Sequence, residues 1–126
     1  MISLLEKNRW FSWTITIIIF LMIFYISSLT FPPPPVGPPS ITATVYHISV
    51  FFLLAFFLLV SVLERRWDSR KITLSVLIVA VYAALDELHQ YFVPGRYMSF
   101  DDFLLDFTGV IFASLIYFVL IGVKKQ

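Results

Sequence analysis

The chain has 126 residues, of which 60% are hydrophobic and 18% aromatic, whereas only 13% are charged and the formal net charge is +1. A soluble domain is about half apolar and about one quarter charged, so a water-soluble globule of this size is excluded. The absence of cysteine excludes disulfides and thiolate metal sites, and no run of Lys or Arg suggests nucleic acid as a partner. Lipid is therefore the predicted solvent, and the membrane bilayer is the predicted partner.

Four apolar stretches are long enough to cross about 30 Å of hydrocarbon, which takes about 20 helical residues. In chain order they cover residues 10–29, 44–63, 72–92 and 103–123. The first is too long for a signal peptide and no A-x-A-like cleavage site follows it, so we expect it to be retained. The sequence thus predicts an all-α, polytopic membrane protein, with four transmembrane helices bundled in one domain over residues 1–126.

The connections between the spans differ in character. The first is TFPPPPVGPPS (residues 30–40), whose prolines lack backbone donors and fix φ, so we expect a stiff extended loop. The second is the charged stretch ERRWDSRK (residues 64–71). The third contains VPGR (residues 93–96), in which proline and glycine end the helix and predict a turn.

Basic residues are concentrated on one side of the predicted bundle. Four spans put both termini on the same side as the 64–71 loop, so eight of the nine Lys and Arg residues share that side and Arg96 alone lies opposite. This bias predicts that the termini and the 64–71 loop are cytoplasmic, and that the 30–43 and 93–101 loops are extracytoplasmic. The extracytoplasmic side is acidic, with Asp86, Glu87, Asp101, Asp102 and Asp106.

Each predicted helix carries a polar side chain at a similar depth. At a rise of about 1.5 Å per residue, these side chains lie about 22–27 Å from the cytoplasmic edge, just below the outer headgroups. They are Ser27 in the first helix, His47 in the second, Asp86 and His89 in the third, and Asp106 in the fourth. We therefore expect a shared pocket that opens away from the cytoplasm.

The third span ends in LDELHQYFVPGR (residues 85–96), which follows a run of thirteen uncharged residues. Asp86, His89 and Gln90 have i, i+3, i+4 spacing and share one helix face, whereas Glu87 points about 100° away. An ionised carboxylate below the interface costs about 2.5–3.5 kcal/mol on insertion scales, so Asp86 should face the interior and have a partner. The candidate partners are Arg96, His47 and His89.

A second polar stripe opens the fourth span. Asp102, Asp106 and Gly109 share one face, and acids there suit the positive end of the helix dipole. For Asp101 and Asp102, contact with water or capping of the helix explains the charge as well as a role in the pocket does. Gly109 and Ala113 have the small-xxx-small spacing that allows a neighbouring helix to approach closely.

These residues suit proton transfer and the binding of an anion. Asp86, Glu87 and His89 are the candidate catalytic residues, because a histidine beside a carboxylate exchanges protons near neutral pH. Arg96 suits bidentate binding of a phosphate or carboxylate. The full set of candidate ligand-binding residues is Ser27, His47, Gln90, Arg96, Asp102 and Asp106.

A divalent cation is the candidate cofactor, because imidazole nitrogens and carboxylate oxygens are suitable ligands. The metal and its presence stay open, since the sequence has no compact ligand motif such as H-E-x-x-H. The candidate metal ligands are His47, Asp86, His89 and Asp106.

The segment ALDELHQYFVPGRYMSFDDFLLDFTG (residues 84–109) resembles the signature of the VanZ-like family. That signature is close to DE-x-H-Q-x-F-x-P-G-R, then an Asp, then an Asn or Asp before a Gly. VYHISVFFLLAFFL (residues 45–58) is similar to the family's second helix, and FYISSLT (residues 24–30) to the end of its first. Asp106 stands where Asn is common. The resemblance implies a small polytopic membrane protein, and the family's founding member is associated with resistance to the glycopeptide teicoplanin.

Three classes of function stay open. The leading hypothesis is an outward-facing pocket that binds or processes an anionic lipid or cell-envelope intermediate, with or without catalysis. The second is a non-catalytic membrane adaptor or a proton-linked carrier, although a carrier needs a polar path and the inner two thirds of the spans lack charge. The third is a polar motif that serves packing alone. The substrate and the oligomeric state also stay open.

Overall fold

The computed structural model describes residues 8–30, 40–63 and 66–122. Within these ranges the chain forms four α-helices and no strand: α1 (Arg9–Ser27), α2 (Ile41–Leu63), α3 (Ser69–Tyr91) and α4 (Phe100–Gly122). All four are long and apolar enough to cross a membrane, which confirms the predicted all-α, four-helix fold. The interior of the proline-rich segment, residues 64–65 and both chain ends, including residue 123, lie outside the described residues. The predicted cytoplasmic location of the termini stays a prediction.

Helices α2, α3 and α4 each begin three residues before the predicted spans. The reason is a polar cap. The side chains of Ser40, Asp68 and Ser99 each accept a hydrogen bond from the backbone N–H three positions later, at 3.1, 3.1 and 3.2 Å. Such caps satisfy donors that the first helical turn leaves unpaired. A hydropathy pattern starts at the first apolar residue and therefore misses this polar turn.

The helices alternate in direction, so that α1 is parallel to α3 and α2 is parallel to α4. The contacts follow this register: the Phe20 ring stacks on Tyr82 at 4.2 Å between α1 and α3, and Phe56 meets Tyr117 between α2 and α4. The last turns of α1 and α3 and the first turns of α2 and α4 therefore lie together. We call this the polar end of the bundle.

The central element is α2, which contacts all three other helices and buries the largest share of its residues. Its buried side chains, among them Phe51, Leu54 and Leu58, form the core with residues from α1, α3 and α4. The outer helices expose large aliphatic and aromatic side chains along their length. This distribution suits a bundle whose solvent is lipid, in which apolar surface needs no burial.

Gly109 lies where α4 crosses α2. A Cβ atom at this position would collide with the carbonyl oxygen of Ile48 and would lie 2.9 Å from the backbone nitrogen of Phe52. Ala113, one turn later, is fully buried. The predicted close approach at the small residues is thus confirmed, and it fixes the register of α4 on α2.

Buried hydroxyl groups occur in the opposite half of the bundle. Thr16 donates to the Ser12 carbonyl at 2.9 Å and lies 3.5 Å from the Ser61 hydroxyl, which donates to the Phe57 carbonyl at 2.7 Å. No charged residue occurs in residues 10–27, 41–63, 72–85 or 107–122. Thr16 and Ser61 bond mainly to their own helices, so they do not add the charged path that a carrier would need.

Candidate functional site

Polar side chains from all four helices meet at the polar end. Six of them are buried, and we call them the polar cluster: Ser27, His47, Asp86, Glu87, Gln90 and Asp106. Three more lie around this cluster and are half-buried: His89, Arg96 and Asp102. All nine residues selected from the sequence are therefore at the same end of the bundle, where two groups of contacts form, one around Asp86 and one around His47 and Asp106.

Asp86 links α3 to α1. The Ser27 hydroxyl donates to Asp86 Oδ2 at 2.8 Å, and the Gln90 side-chain amide donates to the same oxygen at 3.0 Å. Asp86 Oδ1 is buried and has no hydrogen-bond partner among the described residues. The hydrogen-bond partners differ from those considered from the sequence, because the parallel packing of α1 on α3 brings Ser27 to the face that Asp86 shares with Gln90.

His47 and Asp106 form the contact between α2 and α4. His47 Nδ1 lies 2.8 Å from Asp106 Oδ1, and the exposed fractions of the two side chains are 9% and 0%. The Tyr46 ring meets the imidazole edge-on at 5.5 Å. The second carboxylate oxygen, Asp106 Oδ2, is buried without a hydrogen-bond partner within the described part of the chain.

Glu87 lies beside His47 and Asp106, and one nitrogen or oxygen atom from each of the three lies within 4.8 Å of the other two. Its side chain is 3% exposed, and Glu87 Oε2 accepts a hydrogen bond from the Ser99 backbone N–H at 2.8 Å. The helical angle of about 100° between adjacent residues explains why Asp86 faces α1 whereas Glu87 faces the start of α4. Neighbouring carboxylates on one helix thereby enter two different groups.

Gln90 connects these two groups to the loop that joins α3 and α4. Its Nε2 donates to Asp86 at 3.0 Å and lies 3.4 Å from Glu87 Oε1, while its Oε1 accepts a hydrogen bond from Arg96 Nη2 at 2.9 Å. One amide side chain therefore touches both carboxylates and the guanidinium. A substitution of Arg96 would therefore alter the contacts that Gln90 makes with both carboxylates.

His89 contacts the C-terminal end of α1. Its Nε2 is 3.0 Å from the Ser28 hydroxyl, and its ring stacks on Phe24 with the centroids 4.9 Å apart. Within the described residues, the side chains that converge closely enough to hold a metal ion are His47, Glu87 and Asp106. Two of the four metal ligands suggested by the sequence are in that group, and Asp86 and His89 are not.

The loop over the polar cluster turns at Gly95. Gly95 has φ of 80°, a backbone conformation that favours glycine, and the Arg96 N–H donates to the Val93 carbonyl at 3.1 Å. This turn agrees with the predicted helix break at VPGR and directs the chain back over α3. Asp101 is exposed and Asp102 half-buried in the first turn of α4.

Ser99 is a site residue that sequence reasoning missed. Its hydroxyl caps α4 by accepting from the Asp102 N–H, and its own N–H donates to Glu87. The sequence does contain a pattern that predicts the cap, because a serine followed closely by acidic residues is typical of a helix start. The contact with Glu87 depends on the path of the loop, which the sequence pattern does not specify.

We expect Ser27→Ala to lower the free energy of unfolding by about 1 kcal/mol, because interhelical hydrogen bonds in membrane proteins contribute about 0.6–1.7 kcal/mol. The substitution leaves Asp86 Oδ2 with Gln90 as its remaining described partner. Unfolding by SDS in mixed micelles, followed by circular dichroism, measures the difference.

The matched control is Ser114→Ala, since the Ser114 hydroxyl donates to the Val110 carbonyl of its own helix. We expect this control to change the free energy of unfolding by less than about 0.5 kcal/mol. Equal effects of the two substitutions would show that the bond between Ser27 and Asp86 adds no stability.

The model of the VanZ/LLP1 family matches residues 4–121. The chain belongs to the VanZ/LLP1 family. No curated protein and no solved structure matches the chain. The segment that carries the VanZ resemblance, residues 84–109, forms the end of α3, the loop and the start of α4, and so supplies most of the polar cluster.

Proposed function

We propose that this VanZ/LLP1 protein binds or processes an anionic lipid or cell-envelope intermediate at the polar cluster. The observation that carries the proposal is the chain of contacts from the loop to the cluster: Arg96 bonds to Gln90, and Gln90 bonds to Asp86. A guanidinium suits a phosphate or carboxylate headgroup, because it offers planar, charge-assisted donors. The headgroup would contact Arg96 while its hydrocarbon tail remains among the exposed apolar helix faces.

The polar cluster is costly to place in a membrane, which supports a functional role. Ionisable side chains at membrane depth are rare and usually mark substrate or ion sites. Here His47, Asp86, Glu87 and Asp106 are all buried in one bundle. Packing alone would be served as well by apolar residues of similar size.

We propose that the polar end faces outward. Among the described residues, Arg66, Arg70 and Lys71 lie at the opposite end, before or in the first turn of α3. Basic residues concentrate on the cytoplasmic side of membrane proteins, and the sequence places five further basic residues near that end. An outward pocket suits a substrate of the cell envelope.

Proton transfer at the headgroup is the chemistry that we propose for the acids and histidines. His47 beside Asp106 is a histidine–carboxylate pair, in which the imidazole can accept and return a proton near neutral pH. Asp86, Glu87 and His89 are the proposed proton-transfer residues on α3, next to the proposed anion contact at Arg96. Asp102, in the first turn of α4, is half-buried around the same cluster.

The test is the binding of a lipid monophosphate to the full chain, measured by native mass spectrometry in mixed micelles. We expect phosphatidic acid to bind in preference to phosphatidylcholine, and Arg96→Gln to weaken its binding by about tenfold, because one charge-assisted contact contributes about 1.5–3 kcal/mol. Arg70→Gln is the matched control, since Arg70 is exposed at the other end of α3.

Equal binding of the two lipids, or equal loss in Arg96→Gln and Arg70→Gln, would contradict the proposal and favour a packing role. The same proposal has a test in cells, because the family's founding member is associated with teicoplanin resistance. We expect expression of the chain to raise the teicoplanin concentration that inhibits growth of a susceptible strain, and Arg96→Gln to abolish the rise while the protein level is unchanged.

A further inference from the structure

Three side chains from three helices converge inside the polar cluster. His47 of α2, Glu87 of α3 and Asp106 of α4 each offer one nitrogen or oxygen atom, and these atoms all lie within 4.8 Å of one another. Ligands bound about 2.0–2.2 Å from a zinc ion are about 3–3.5 Å apart, so movements of about 1 Å would complete a site. The exposed fractions of these three residues are 7%, 3% and 0%.

The carboxylate of Asp106 has a free position for a ligand. Asp106 Oδ1 is 2.8 Å from His47 Nδ1, whereas Asp106 Oδ2 is buried and has no hydrogen-bond partner in the described part of the chain. Buried polar atoms are almost always paired with protein, water or an ion. This unpaired oxygen is an observation separate from the convergence of the three residues, and it indicates that something binds here.

The charges and the supporting contacts suit a divalent cation. The formal charge of two carboxylates balances that of a divalent ion, and a neutral imidazole leaves the balance unchanged. The Ser99 N–H holds Glu87 Oε2 at 2.8 Å, which orients the carboxylate. Metal-ligating carboxylates are commonly held by such hydrogen bonds.

We propose that His47, Glu87 and Asp106 bind one divalent transition-metal ion, with Zn²⁺ as the ion that this nitrogen and oxygen ligand set favours. This inference rests on the proposed function, because the cation would lie beside the anionic headgroup that the polar cluster is proposed to bind. Asp86 and His89, which the sequence suggested as ligands, lie outside this group and contact Ser27 and Ser28.

The experiment uses the full chain in detergent, first treated with a chelator and then dialysed against Zn²⁺. Elemental mass spectrometry should find about one zinc per chain, and Glu87→Gln and Asp106→Asn should each weaken zinc binding by more than about tenfold. Asp101→Asn is the matched control, because this acid is exposed in the first turn of α4 and lies outside the group. It should keep the affinity of the unchanged chain.

A second measurement needs no variant, in case Asp106→Asn fails to fold. X-ray absorption of the zinc-loaded chain should show nitrogen and oxygen ligands that include one imidazole. The proposal is overturned by an unchanged chain that binds no zinc, by two imidazoles at the metal, or by folded Glu87→Gln and Asp106→Asn proteins that retain full zinc affinity.

Zinc binding is measured without lipid, and phosphatidic acid binding is measured in the presence of chelator. If the chain binds phosphatidic acid but no zinc, the metal-site proposal is contradicted and the headgroup proposal is unaffected. If the chain binds zinc but not phosphatidic acid, the metal-site proposal is supported and the headgroup proposal is contradicted.

Discussion

His47→Ala should lower the free energy of unfolding by about 3–5 kcal/mol, which is the cost of removing one partner from a buried charged pair. The substitution removes the imidazole that lies 2.8 Å from Asp106 and leaves a fully buried carboxylate without it. The second oxygen of that carboxylate already lacks a hydrogen-bond partner among the described residues. SDS-induced unfolding in mixed micelles, followed by circular dichroism in the presence of chelator, measures the loss without any contribution from a metal ion.

His89→Ala is the matched control for this prediction. His89 is half-buried, and its described contacts are the Ser28 hydroxyl and the Phe24 ring. Its loss should cost about 1 kcal/mol, the usual net value of one hydrogen bond. If the two histidine substitutions cost the same, the pair of His47 and Asp106 does not stabilise the contact between α2 and α4.

The double variant His47→Leu with Asp106→Leu separates the cost of an orphaned charge from the value of the pair. Apolar replacement of both members of a buried pair is often neutral or stabilising. We therefore expect the double variant to regain most of the stability that His47→Ala loses, while it loses zinc binding. A double variant as unstable as the single one would mean that the polar pair itself is needed for folding.

The fold could be predicted from the sequence because hydropathy and length act on whole segments. Four apolar runs of about 20 residues fix the number of helices, and the helical rise places Ser27, His47 and Asp106 at one end. The predicted starts of α2, α3 and α4 are three residues late, since a cap such as Ser99 is polar and does not belong to the apolar run. The direction of the bundle in the membrane remains a prediction from charge.

The partners within the site could not be predicted in the same way. Helical geometry gives the angle between Asp86 and Glu87, but it does not say which neighbouring helix each one faces. That depends on which helices pack in parallel and on the path of the loop, so Asp86 meets Ser27 and Glu87 meets the Ser99 backbone. The sequence therefore yields the residues of the cluster, while their division into two groups requires the tertiary structure.

Gly109→Ala should lower the free energy of unfolding by about 1–3 kcal/mol, the usual cost of overpacking a close contact. In an isolated helix the same change stabilises by about 1 kcal/mol, so the expected sign is reversed here. The added Cβ collides with backbone atoms of Ile48 and Phe52, which belong to α2 and cannot rotate away as a side chain can. The same unfolding measurement applies.

The collision should also reach the site, because Gly109 is one helical turn from Asp106 and Ile48 adjoins His47. Separating α4 from α2 lengthens the contact between His47 and Asp106, so Gly109→Ala should weaken zinc binding as well as stability, although it removes no ligand. Ala84→Val is the control: it adds methyl groups at an exposed position of α3 and should change stability by less than about 0.5 kcal/mol. Full stability in Gly109→Ala would mean that the two helices can move apart at no cost. The register of α4 on α2 would then not be what holds the three proposed ligands together.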